Sequence, residues 1–310
     1  MIRVLSPGLL TTVQDLGRPG LGAFGVPPGG AADAHALRLG NLLLGNDEGA
    51  AALEATLAGP ELVFEDEGLV VLAGAPFAAM LDGEELAAWS AIRVRAGSRL
   101  TLGRAVSGAR GYLCVRGGID VPHVLGSRST DVATGFGGFE GRALAPGDRL
   151  TVGPPGAPPV GRRIDAAPAR WAGPRHLLRV TPGPQEEWFA SEAIAAFFSR
   201  PFRVSASSSR TGVRLEGEPL ASPARFLVTE GVVAGAVQVP AGGLPIVLLV
   251  EHPSTGGYPK IANVISADLS ALAQLRPGDE VRFAPASFDE ARRLLLDREA
   301  RLSWPGVFRP

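Results

Sequence analysis

Lysine is almost missing from this 310-residue chain: Lys260 stands alone against 29 arginines. Arginine stays protonated, so a basic side chain able to give up its proton is available at one position only. Cysteine is equally scarce. With Cys114 as the single thiol no intrachain disulfide can form, and its setting, Gly111-Tyr112-Leu113-Cys114-Val115, reads as a strand holding a buried, inert thiol. The four histidines, His35, His123, His176 and His252, lie far apart and in no metal-ligand spacing, so a zinc centre is not expected. A charge excess is lacking too. The 30 basic and 31 acidic residues leave a net charge of -1, which gives no electrostatic reason to expect nucleic acid or an anionic membrane as partner. No apolar run has the length of a membrane span. The start, Met1-Ile2-Arg3-Val4, has no basic segment followed by an apolar stretch, so the cytoplasm is the expected compartment. Gly-x-x-x-x-Gly-Lys-Ser/Thr and Gly-x-Ser-x-Gly are absent, and no Gly-x-Gly-x-x-Gly follows a strand. The common phosphate-loop, serine-hydrolase and dinucleotide signatures are therefore not present.

What the chain has is turns. Its 41 glycines and 27 prolines fall between short apolar runs, the pattern of many strands closed by turns. Strands are expected at 69–72, 91–94, 110–115, 177–181, 226–229, 246–250 and 281–284. Helices are few: one capped by Asp33 and running to Leu44, one over 186–198, one over 266–275, and a last one opened by the capping box Ser287-Phe288-Asp289-Glu290. The expected class is mainly β with a few short helices. Pro146-Gly147-Asp148 followed by an apolar strand recurs 131 residues later as Pro277-Gly278-Asp279. This weak repeat suggests two related domains, 1–160 and 174–310, joined by a proline-rich linker over 154–173.

Three runs carry chemistry. In Thr11 to Gly20, Asp15 and Arg18 are close enough to pair, and a glycine-rich loop leads on to Asp33 at a helix start. Backbone amides there suit an anion, although Asp33 would compete with it. The alternative is an Asp–Arg pair bracing a long loop. Leu125-Gly126-Ser127-Arg128-Ser129-Thr130 and Ser207-Ser208-Ser209-Arg210-Thr211 each set hydroxyls beside an arginine, as a carboxylate or phosphoryl group would need. Solvated turns are the alternative. The third run is Glu251-His252-Pro253-Ser254-Thr255-Gly256-Gly257-Tyr258-Pro259-Lys260. Its paired glycines let backbone approach a ligand, and Thr255, Tyr258 and Lys260 supply donors. Glu251 and Lys260 make a base and an electrostatic stabiliser, with Gln238 facing the same place. A surface hairpin with an ion pair is the alternative.

Taken together and in this order, the runs 11–20, 25–33, 117–130, 208–217, 235–240 and 255–259, with Gly141-Arg142 and Gly147-Asp148, resemble the biotin-dependent carboxyltransferase family. That family includes allophanate hydrolase subunit 2-like proteins, the C component of bacterial 5-oxoprolinase and kinase-inhibitor antagonists. The resemblance extends from Val4 to Phe283. It implies two cyclophilin-like β-barrel domains. It implies two protein partners as well, one resembling allophanate hydrolase subunit 1 and one LamB/YcsF-like. The activity implied is ATP-dependent opening of 5-oxoproline to glutamate, with ATP shared by the complex. Antagonism of a kinase inhibitor, and carboxyl transfer from carboxybiotin to a urea-like amide, are the other roles implied. The site implied joins Glu251 and Lys260 as catalytic groups to Arg128, Ser129, Arg210, Gln238, Thr255, Gly256, Gly257 and Tyr258 as binding groups. Asp15, Arg18 and Asp33 are secondary candidates. Glu251 stands where aspartate is usual, Ser254 where threonine is, and Ala32 where methionine is. No Ala-Met-Lys-Met is present, so this chain carries no covalently attached biotin.

Overall fold

The computed structural model describes residues 1–156, 163–164, 176–302 and 308–309. The chain divides into two compact units: residues 1–18, 29–169 and 302–310 form one, and residues 19–28 and 170–301 the other. Most of the expected linker over 154–173 lies outside the described residues.

Two sheets build the N-terminal unit. The seven-stranded sheet runs in the order Ile119–Asp120, Arg149–Val152, Ile2–Ser6, Glu61–Phe64, Arg99–Ala105, Phe77–Leu81, Glu84–Glu85. The five-stranded sheet runs Thr11–Gln14, Ala52–Thr56, Arg110–Val115, Gly68–Gly74, Ile92–Val94. One core joins them: Ile2, Val4, Leu62, Phe64 and Leu100 from the first meet Val13, Leu53, Val70, Leu72, Leu113 and Val115 from the second. Strands Ile2–Ser6 and Phe77–Leu81 alternate buried and exposed residues, as one-faced burial requires. Strand Arg110–Val115 is buried at every position because the helix Ala34–Leu43 covers the second face of its sheet.

Closure is found in the C-terminal unit. Its barrel runs Leu177–Pro182, Lys260–Val264, Ala236–Gln238, Ile246–Leu248, Gly212–Glu216, Phe202–Val204, Glu280–Pro285 and back to Leu177–Pro182. The final pairing is parallel and the others are antiparallel. The helix Ser191–Ser199 seals one side, with Phe197 stacked on Phe283 at a centroid distance of 4.4 Å. Of the two barrels expected, one closed seven-stranded barrel is observed. The N-terminal strands separate into two sheets instead.

The Pro-Gly-Asp repeat is structural. Val4 donates to the Asp148 carbonyl (2.8 Å) and accepts from Gly147 N (2.8 Å). In the other unit Val204 donates to the Asp279 carbonyl (2.9 Å) and accepts from Gly278 N (2.8 Å). Both aspartates also cap their own turns, accepting from Ala145 N and Arg276 N. The strand expected over 226–229 does not form. That segment is irregular, with Phe226 90% exposed, and leads into the short strand Glu230–Gly231. The helix expected over 186–198 is two pieces, a 3-10 turn Glu186–Trp188 and the helix Ser191–Ser199, because Phe189 is extended and buried.

Gly40 sits where the N-terminal helix meets Cys114. A Cβ at this position would lie 2.7 Å from Cys114 Sγ and 3.0 Å from Ala73 Cβ. Helix propensity favours Gly40→Ala by about 1 kcal/mol, but overpacking typically costs about 1–3 kcal/mol. Urea unfolding is expected to show Gly40→Ala as destabilising, and Cys114→Ala in the same chain as recovering most of the loss.

Candidate functional site

The lone lysine is placed by a bulge. Strands Ala236–Gln238 and Lys260–Val264 pair with Val237 opposite Ala262 and Gln238 opposite Lys260, so Ile261 is the extra residue. Bulges re-aim side chains. Directly opposed residues of an antiparallel pair project to one face, so Gln238 and Lys260 stand side by side. Both are buried, at 5% and 3% exposure. Lys260 Nζ lies 2.6 Å from Glu230 Oε1, an ion pair, yet it has no aligned hydrogen-bond acceptor. The Gln238 amide Nε2 has none either.

A ribbon covers this pair. Thr255–Gly256 is hydrogen-bonded to Glu230–Gly231, with Gly256 opposite Glu230. A side chain at Gly256 would place its Cβ 2.5 Å from Gln238 Nε2 and 3.1 Å from Val232 Cγ1. Glycine here lets main chain lie directly over the glutamine amide. Val232 packs with Ala236 and Leu248, and Ile246 sits beside them, so the polar pair has an apolar flank. The turn before the 3-10 segment closes another side. Gln185 exchanges bonds with the Lys260 backbone (N–H to Oε1 3.1 Å, carbonyl to Gln185 N 3.3 Å) and donates from Nε2 to Glu230 Oε1 at 3.0 Å. The Lys260 ammonium, and after it the Gln185 amide, hold the Glu230 carboxyl below its usual range. Ser254 Oγ, just before the ribbon strand, is buried with no hydrogen-bond partner.

Glu251, expected beside Lys260, is buried in a different pair. Arg210 Nε donates to its Oε1 at 2.6 Å, and Glu251 N bonds the Arg210 carbonyl at 3.0 Å. The expected duo of Glu251 and Lys260 thus becomes two pairs, Arg210–Glu251 and Lys260–Glu230. Thr255 and Tyr258 are on the exposed side of the ribbon, and Gly257 lies near Thr229 and Leu227. Glu230 and Gln185 were not expected. Glu230 is 30 residues from Lys260 in the chain, one of 31 acids, and the only signal for it was that a buried ammonium needs some carboxylate.

The N-terminal candidates form a closed network. Asp15 Oδ1 accepts from Ser127 Oγ (2.6 Å), Ser129 Oγ (2.5 Å) and Gly17 N (2.7 Å), while Oδ2 accepts from Arg128 N (2.6 Å). Arg18 donates to the Ser129 carbonyl at 2.5 Å and lies over the Phe136 ring, so Asp15 and Arg18 meet through segment 127–129. The Arg128 side chain turns away to the Val121 carbonyl and to Asp120. Asp33 caps the helix Ala34–Leu43, and its N–H donates to Tyr112 Oη, which donates to Glu54. Burial, then Glu54 and Asp33, push the Tyr112 phenol well up. Burial likewise raises the Cys114 thiol, consistent with an inert group. Two concavities of this unit, about 1190 and 430 Å³, are lined by none of the candidate residues.

A family model described as the carboxyltransferase domain, subdomain A and B, matches residues 24–285. The chain belongs to this family. The expected kinship with biotin-dependent carboxyltransferases, close to the 5-oxoprolinase C component, is borne out. The chain is 42% identical to the 5-oxoprolinase C component of Escherichia coli (strain K12), covering 98% of both proteins. It is 36% identical to urea amidolyase of Saccharomyces cerevisiae over 94% of its own length but 17% of that protein. It superimposes over its whole length on the urea carboxylase of Kluyveromyces lactis with a TM-score of 0.88 and 34% identity, spanning 30% of that chain. Among the described residues no helix is long and apolar enough to cross a membrane.

Two variants test this geometry. Gly256→Ala meets only the tip of Gln238 and one valine methyl, so it is expected to fold with near-normal urea stability. It should nevertheless move the Gln238 amide, read as a shift of its side-chain NH2 resonances in an NMR spectrum of the isolated chain. Glu251→Ala removes the carboxylate bonded to the buried Arg210 Nε and should lower unfolding free energy by about 1–3 kcal/mol in the same assay.

Proposed function

We propose that this chain is the C component of an ATP-dependent 5-oxoprolinase complex, which opens the ring amide of 5-oxoproline to give glutamate. The observation that carries this reading is the end-to-end match, 98% of both chains, to a 5-oxoprolinase C component. The complex is cytoplasmic, and its other two proteins are an allophanate hydrolase subunit 1-like component and a LamB/YcsF-like component.

The site geometry suits an amide. Two buried donors, Lys260 Nζ and Gln238 Nε2, come from directly opposed residues, and the Gly256 main chain lies over the glutamine amide. Donors set in advance toward an oxygen that gains charge are the largest single contribution in many acyl-type reactions. Arg210 fixes Glu251 in a buried pair, so that carboxylate serves to position the strand end rather than to move protons. ATP belongs to the complex. The sole lysine follows Tyr258-Pro259 and not a Gly-x-x-x-x-Gly loop, so this chain offers no phosphate-loop lysine for a triphosphate.

Carboxyl transfer is the second reading, favoured by the full-length superposition on urea carboxylase. In that case the chain supplies the site where an amide accepts a carboxyl group, and the carboxybiotin is carried by a partner, since Lys260 is the only lysine and is buried in the site.

The three proteins purified together should release glutamate from 5-oxoproline only when ATP is present. Lys260→Ala and Gln238→Ala should each lower kcat/KM by about 100-fold, the usual loss for one charge-stabilising donor. Near-normal turnover in both variants removes the site. An inactive wild-type complex that becomes active on urea when a biotin carboxylase and its carrier are added favours the second reading.

A further inference from the structure

Glu230 is not one of the amide-binding donors, yet it decides what the site accepts. Its carboxylate is on the covering ribbon, 39% exposed at the side chain, and holds Lys260 Nζ at 2.6 Å and Gln185 Nε2 at 3.0 Å through the same oxygen, Oε1. Without it the Lys260 ammonium would be buried with no counter-charge. With it the pair is neutral, while Nζ keeps donors to offer because one carboxylate oxygen takes only one of its three N–H groups. The neighbouring Gln238 donor is uncharged. An incoming carboxylate at this place would set a second negative charge beside Glu230, and like charges at such range repel strongly away from bulk water. The oxygen of a neutral amide meets no such penalty and finds two donors ready.

We propose that Glu230 is the positioning and specificity residue of this site: it holds the Lys260 ammonium beside the Gln238 amide so that the two bind the carbonyl oxygen of an uncharged amide and reject a carboxylate. In 5-oxoproline the group held here is the ring amide, and the substrate's own carboxylate points elsewhere. Urea and its relatives belong to the same ligand class. This inference rests on the assignment of the Lys260–Gln238 pair as the amide site.

The groups facing Glu230 are few. Lys260 comes from the barrel strand, Gln185 from the turn before the 3-10 segment, and Gly256 from the paired ribbon strand; only Lys260 is charged. Glu230 therefore stays ionised as pH falls through the ordinary glutamate range. The pair's contribution is fully present above the unfolded carboxyl value of 4.5 and is lost only as pH drops through the lower folded value.

A single lysine makes the test direct. The isolated full chain, labelled at the lysine ε-carbon, gives one side-chain resonance to follow. Added 2-pyrrolidinone, a lactam without a carboxylate, should move that resonance saturably, and acetate at equal concentration should not. Glu230→Gln should weaken lactam binding by tenfold or more and abolish the low-pH step in the resonance. Glu230→Asp, which keeps the charge, should restore part of both. Glu230 is half-exposed, so these variants are expected to fold, and a normal urea transition checks it. Acetate binding as well as the lactam, unchanged lactam binding in Glu230→Gln, or no response to the lactam up to its solubility limit would each overturn the proposal. Neither ATP nor the partner proteins enter this experiment. A lactam-binding chain whose assembled complex fails to open 5-oxoproline overturns the oxoprolinase reading alone, and a turning-over complex whose chain fails this test overturns this inference alone.

Discussion

A buried ammonium must have a counter-charge, and the C-terminal unit is arranged around that requirement. Leaving Lys260 unpaired at 3% exposure would cost several kcal/mol or force it to lose its proton. The carboxylate that answers it comes from a ribbon that the barrel itself does not need. Glycine at 256 lets that ribbon lie close enough for Glu230 to reach, and the bulge at Ile261 puts Lys260 opposite Gln238. Gln185, in the turn before the 3-10 segment, steadies the same carboxylate with its amide. Ribbon, glycine and bulge thus serve one charge.

The unit contains two ion pairs with different characters. Arg210 and Glu251 are both buried and joined by a side-chain bond and a backbone bond, which is a fixed arrangement. Lys260 is buried but its partner is half-exposed, and the contact lacks hydrogen-bond alignment. A buried charge pair is often near neutral for net stability, so a pair that leaves donors unused points to function more than to folding. This difference is why the proposed function treats Arg210–Glu251 as framework and Lys260–Glu230 as the pair that meets a ligand. Each pair joins one residue of the run 251–260 to a partner well outside it.

Much of the architecture was legible because its signals are local. The Asp33 cap, the Ser287 capping box and the strand 110–115 follow from residues within one or two turns of each other. The Pro-Gly-Asp turns carried their own geometry into both units. Lys260, Gln238 and Gly256 were legible as a group because a rare residue beside paired glycines stands out. Glu230 and Gln185 were not, since they reach Lys260 across 30 and 75 residues and nothing local distinguishes them from other acids and amides. The run 226–229 failed for a related reason. An apolar stretch between glycines has the composition of a strand, but this one finds no partner and stays exposed, while Arg225 just before it sits over the Trp188 ring at 5.5 Å. Closure of the strands into a barrel depends on pairing between distant segments, so the sequence could not separate one barrel and two sheets from two barrels.

Residue type alone does not distinguish a site from a brace, and the two units show why. The run Ser127-Arg128-Ser129 has the hydroxyls and the guanidinium that anion binding needs, yet four donors converge on Asp15 and the Arg128 side chain is spent on Asp120 and the Val121 carbonyl. An anion placed there would have to displace a carboxylate already in possession of every near donor. In the C-terminal unit the Gln238 amide Nε2 has no acceptor, and Lys260 Nζ meets only Glu230. Buried polar groups in folded proteins are satisfied in the great majority of cases, and leaving one unsatisfied costs about 1–3 kcal/mol. Gln238 Nε2 is such a group, lying under the Gly256 main chain, and its neighbour Lys260 meets only the half-exposed Glu230. The filled carboxylate at Asp15, set against the open amide of Gln238 beside Lys260, is what favours the C-terminal unit in the function proposed above.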